Sequence, residues 1–203
     1  TAEEAGSKHK ECTVCGHVME EAVIDKLTPP TPDPEPTPDK PEADVEVKGD
    51  APTIKNDADT VKEIESSVKL TDEEKEAVKA GADIKFKIVV KDEVKAGDKE
   101  LIDTKISSLV NNGVVGKVFD ITIEKQVGNN AAVKAEFNSE ITLKVQVPEE
   151  LINKDDSKTR TYKVIRVHDG EVTVIDKENC VFDEETGLIT FKTDKFSTYA
   201  IVY

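Results

Sequence analysis

Tryptophan is absent from this 203-residue chain, methionine occurs once, and the only arginines are Arg160 and Arg166. The six phenylalanines and three tyrosines mostly fall at positions that suit a core. A sugar-binding platform, which stacks on exposed rings, therefore has little to draw on. No apolar run approaches the ~18 residues of a membrane span, and no secretory signal is present. Positive charge is also scarce. Lysine plus arginine number 28 against 43 acidic residues, a formal charge of −15. A phosphate backbone or an anionic lipid surface repels that balance, which argues against nucleic acid as a partner and against membrane insertion. Cysteine numbers three, and two of them share one tight motif, which argues against a disulfide framework.

Proline is concentrated rather than scarce. Seven of the nine prolines lie in TPPTPDPEPTPDKPE, residues 28–42. Proline fixes φ and removes backbone donors, so neither a helix nor a central strand is compatible with this run. Interleaved Thr, Asp and Glu favour solvated polyproline II, and at ~3.1 Å per residue the segment spans roughly 45 Å. It divides the chain into a cysteine-bearing segment, residues 1–27, and residues 43–203, where 24 basic residues face 33 acidic ones. The chain opens inside what reads as a repeat, so a fragment of a longer protein is expected.

Residues 43–203 read as mainly β with two or three inserted helices. Val45 and Val47 suit an edge strand, and Val61, Ile64 and Val68 recur at helical spacing. Thr71-Asp72-Glu73-Glu74 is a capping box, with Gly81 as the stop. Asp98 is placed to cap a third helix carrying Leu101, Ile102, Ile106, Leu109 and Val110. Elsewhere the period is two: Ile84, Phe86 and Ile88; Phe119, Ile121 and Ile123; Ile141, Leu143, Val145 and Val147. Residues 162–167 and 171–175 flank His168-Asp169-Gly170, a hairpin signal, and residues 180–182 and 188–193 form a second hairpin. The expected fold is α+β: an antiparallel β-sandwich or partly open barrel following an extended linker.

Candidate chemistry is sparse. Cys12-Thr13-Val14-Cys15, with His9 and His17 nearby, holds two thiolates at a spacing that grips zinc from a turn. A Cys12–Cys15 disulfide and an unassigned pair of thiols are the competing readings, and no other cofactor is indicated. His168 is the sole histidine of residues 43–203. Cys180 and Ser197 are conceivable nucleophiles, but both sit in or beside apolar strand patterns, and the turn role explains His168. Cys180 suits a small buried hydrophobe. The acidic clusters at residues 72–74, 155–156 and 183–185 lack the EF-hand pattern and suit capping and turns.

SKHKECTVCGHVMEEAVI, residues 7–24, resembles the final copy of a short C-x-x-C repeat of surface proteins in Gram-positive gut anaerobes. SKTRTYKVIRVHDGEVTVI (157–175), FKTDKFSTYAIVY (191–203), VPEELINKDDSKT (147–159) and KELIDTKISSL (99–109) resemble a β module recurring near the C-terminus of such proteins. The resemblance implies an extracellular setting, secreted or at the bacterial cell surface, and no catalytic residue. The expected function is a non-enzymatic, monomeric spacer or display module whose partners are other modules of the same parent. The alternatives are an adhesin-type domain for a host protein or glycan, and an accessory domain of an extracellular hydrolase. A spacer is expected to lack a concave polar site. A binder is expected to show one, between residues 92–99 and the hairpin tips.

Overall fold

The computed structural model describes residues 6–11, 15, 18–24, 43–155, 157–175 and 178–203. The chain divides into two units, Thr1–Lys40 and Pro41–Tyr203. The proline run, residues 28–42, lies outside the described residues. In the first unit, β1 (Gly6–Glu11) and β2 (Val18–Ile24) form an antiparallel hairpin in which Gly6 pairs with Ile24.

The second unit is mainly β with three α-helices, built from two sheets that do not close into a barrel. The larger sheet contains β3 (Ala43–Lys48), β4 (Ile84–Lys91), β5 (Val115–Val127), β8 (Lys163–His168), β9 (Glu171–Ile175) and β12 (Thr198–Val202). Their order is β3-β4-β5-β12-β8-β9, and the short β6 (Val133–Lys134) also pairs with β5. The smaller sheet is β10-β11-β7, from Cys180–Asp183, Leu188–Thr193 and Ile141–Gln146. Every pairing is antiparallel except β3 with β4. A parallel pair needs a crossover long enough to bring the chain back. Residues 49–83 supply it with α1 (Ala58–Ser67) and α2 (Asp72–Lys79).

Two apolar layers follow from the period-two strands. Phe86, Ile88, Phe119, Ile121, Ile123, Leu143 and Phe191 fill the space between the sheets, joined by Val61 and Ile64 of α1. On the opposite face, α3 (Ala96–Leu109) lays Ile102 against Ile165, Val167, Ala200 and Val202. The closing strand β12 is consequently buried on both faces, with Tyr199 and Ile201 in one layer and Ala200 and Val202 in the other. The β8–β9 tip is a two-residue turn with φ of 49° at Asp169 and 77° at Gly170. Both angles lie in the left-handed region that such a hairpin turn demands.

Helix starts follow local chemistry in two cases out of three. Thr71 caps α2, with the reciprocal bond from its own backbone N–H to Glu74 at 2.7 Å. Asp57 caps α1, accepting from the backbone N–H of Thr60 at 3.0 Å. Asp98 does not cap α3, which starts at Ala96 without a side-chain cap. Its carboxylate instead accepts a 2.7 Å hydrogen bond from the Thr198 hydroxyl, tying the first turn of the helix to β12.

Asp57 also receives the Lys144 ammonium from β7, so one carboxylate both starts α1 and docks it. The hydrogen bond from Lys144, followed by those from Thr60, lowers the Asp57 pKa to about 2 from 3.8. A depressed carboxylate contributes stability that is fully present above its unfolded value and lost as pH falls through the folded one. Between pH 4.5 and pH 2 the native chain is expected to lose on the order of 2 kcal/mol more stability than Asp57→Asn. Asparagine keeps the cap but not the charge. Urea titrations of both proteins across that pH range measure the difference; parallel curves would show that the pair contributes nothing.

Candidate functional site

Strand β5 is the longest of the sheet, and one of its edges is shared by two partners. Residues 115–120 pair with β12, whereas Glu124 and Lys125 pair with β6. Between them the backbone N–H of Ile121 donates to the Ser197 carbonyl, and that of Ala135 donates to the Ile123 carbonyl. The seam between these two partners opens into a cleft of about 370 Å³. Its walls come from Lys69 after α1, residues 134–137, His168 at the β8–β9 tip, and the turn at 194–196. Phe137 and Phe196 lie buried beneath it with ring centroids 5.0 Å apart.

The charged groups of the cleft are unevenly matched. Glu136 pairs with Lys69 at 3.5 Å, and Asp194 with Arg166 at 3.2 Å. Lys134 reaches across the seam to donate to the Phe196 carbonyl at 3.0 Å. Among the described residues neither Lys134 nor Lys195 forms an ion pair. The turn that carries Lys195 is held from below by Tyr199, whose hydroxyl donates to the Lys195 carbonyl and lies 3.0 Å from Thr193 Oγ1. Burial pushes the Tyr199 phenol well above its ordinary range, so it stays neutral and hydrogen-bonded.

His168 lines this cleft, a position that its turn role alone did not reveal. Nε2 lies 3.4 Å from Asp169, a carboxylate that is 90% exposed, while Nδ1 is buried without a partner. Thr198 pairs with Val167, which brings Ser197 next to His168 in the chain fold, yet no hydrogen bond joins the serine to the imidazole. Cys180 is buried on β10. The structure thus brings His168 and Ser197 together at one end of the interior strands β8 and β12, without the hydroxyl–imidazole bond of an activated nucleophile.

The acidic clusters perform local work. Glu74 completes the α2 capping box, Asp155 accepts from the Ser157 backbone at 3.0 Å, and Asp183 accepts from the Glu185 backbone at 2.9 Å. A second concavity of about 480 Å³ lies where residues 50–53 meet 146–150, and its charged lining is wholly acidic: Asp50, Glu149 and Glu150. Neither concavity includes residues 92–99, though the first takes in the β8–β9 hairpin tip. The seam exists only because β6 takes over an edge that β12 leaves.

Of the four residues considered as zinc ligands, Cys15 is exposed in a turn between β1 and β2, and the His9 backbone pairs with Glu21. Cys12 and His17 lie outside the described residues, and with them both the zinc and the disulfide readings. Among the described residues the single buried lysine is Lys125, which faces Glu74 and the Lys69 carbonyl. No helix among the described residues is long and apolar enough to cross a membrane. The class defined by the fold is an α+β domain with two sandwich-like sheets, its seam cleft lined by lysines. No family model, curated protein or solved structure matches the chain.

Proposed function

We propose that residues 43–203 serve as a non-enzymatic spacer and display module of a secreted or wall-attached bacterial surface protein. The observation that carries this reading is the direction of the first and last strands of the large sheet. β3 runs parallel to β4, β4 antiparallel to β5, and β5 antiparallel to β12. β3 and β12 therefore point the same way, so the chain enters this sheet at one end and leaves it at the other. Ala43 is level with Phe86 and hence with Lys125, whereas Val202 is level with Val115. Ten strand residues at ~3.3 Å each separate the two levels by roughly 33 Å. A module built this way extends a protein in line rather than folding it back.

Tension applied at the two ends loads β3 against β4 in shear, where all six residues of β3 must let go together. A hairpin pulled open from its tip breaks its bonds one at a time instead. In tandem arrays stretched end to end, each copy is expected to unfold in one step, releasing roughly 500 Å of chain. The expected force is well above that needed to peel a hairpin open. Unfolding at the force of a peeled hairpin, or hydrolysis of a panel of glycosides, esters and peptides, would refute the reading. The adhesin-type alternative draws its support from the cleft, because a bare spacer has no use for a concave polar site.

A further inference from the structure

We infer that the β5-seam cleft binds a compact oxyanion group, a carboxylate or a sulfate, with Lys134 and Lys195 as its two charge partners. The first argument is local charge. Both carboxylates of the cleft have their own cations, Glu136 with Lys69 and Asp194 with Arg166. Lys134 and Lys195 are left without counter-ions in a chain that carries 43 acids and 28 bases. With its two carboxylates each matched to a cation, the cleft keeps a local excess of positive charge at Lys134 and Lys195.

The second argument is the setting. The buried Phe137–Phe196 pair gives the cleft an apolar floor, and low-dielectric walls concentrate the field of the lysines above them. At physiological ionic strength the Debye length is about 8 Å, so the net negative charge of the rest of the unit is largely screened there. The third element is His168, which contributes to the wall of the cleft beside the two lysines. At about 370 Å³ the cleft is near the lower bound of small-molecule sites, enough for a single acidic sugar but not for an oligomer. Lysine ammoniums act as point charges, which suits a carboxylate and a sulfate alike.

Saturable binding would favour the adhesin-type alternative over a bare spacer, whereas failure of the force experiment leaves the cleft untouched, so the two readings fail separately. Titration of the full chain with glucuronate, sodium sulfate and glucose, followed by calorimetry or amide shifts, tests it. Glucuronate or sulfate is expected to saturate below about 50 mM, with glucose showing no saturation. Lys134→Ala and Lys195→Ala are each expected to weaken binding roughly tenfold, as loss of a charge-assisted bond does, while Lys99→Ala on α3 leaves it unchanged. The inference is overturned if neither anion saturates, if glucose binds equally well, or if Lys99→Ala weakens binding as much as the cleft variants do.

Discussion

Lys125→Ala is expected to lower the stability of the folded unit by about 3–5 kcal/mol, the cost of breaking a buried ion pair by removing one partner. Lys125 occupies an inward position of β5, in line with Phe119, Ile121 and Ile123, yet its side chain is only 7% exposed. Its ammonium lies 2.5 Å from Glu74 Oε2 and donates to the Lys69 carbonyl at 2.7 Å. Glu74 is itself only 15% exposed, and its pKa is lowered chiefly by the hydrogen bond from Lys125. Removing the lysine leaves that carboxylate and the Lys69 carbonyl desolvated without compensation. It also releases α2, which has no fully buried residue and is tied to β5 by this contact. Lys125→Met alone should cost nearly as much, whereas Lys125→Met with Glu74→Leu should recover only part of the loss, because the apolar pair needs no charge partner but leaves the Lys69 carbonyl and the Thr71 N–H without their bonds. Chemical denaturation of the two singles and the double closes the cycle. A loss below about 1 kcal/mol for Lys125→Ala would show that water replaces the lysine freely.

Tyr199→Ala is expected to cost about 3–5 kcal/mol and to lower the melting temperature by roughly 10 °C, whereas Tyr199→Phe should cost only about 1–2 kcal/mol. The tyrosine is fully buried, with its ring 5.4 Å from that of Phe191 and 6.1 Å from that of Phe119. Truncation to alanine empties the space between the sheets where they meet. Removal of the hydroxyl alone leaves the packing but frees the Lys195 carbonyl and one neighbour of Thr193. Because that turn forms one wall of the cleft, Tyr199→Phe should also weaken glucuronate or sulfate binding while the fold persists. Thermal melts and anion titrations on the same two variants separate the effects. Equal melting temperatures for Tyr199→Phe and Tyr199→Ala would overturn the division between packing and hydrogen bonding.

Much of this architecture was legible in local pattern. The alternation of Phe119, Ile121 and Ile123 and of Ile141, Leu143 and Val145 placed strands with one buried face, and those residues form the inter-sheet core. The Thr71 capping box and the Asp169-Gly170 turn were readable because a few adjacent residues satisfy all the bonding each motif requires. The same reasoning misplaced Asp98. An aspartate near a helix start can always cap it locally, but here Thr198, 100 residues away, takes its carboxylate. Lys125 was hidden for a related reason. A lysine at an inward position reads as the end of a strand pattern until a distant Glu74 is brought to it.

Composition and periodicity determined that this chain would make a mainly β unit with helices interleaved early, because burial of alternating apolar side chains depends only on sequence spacing. Which strands become neighbours depends on contacts across long sequence separations, and no local spacing encodes them. The tertiary structure alone therefore decided that β3 lies parallel to β4 and that β3 and β12 point the same way. It alone decided that β12 and β6 divide one edge of β5, and so that Lys134, Lys195 and His168 meet around a cleft.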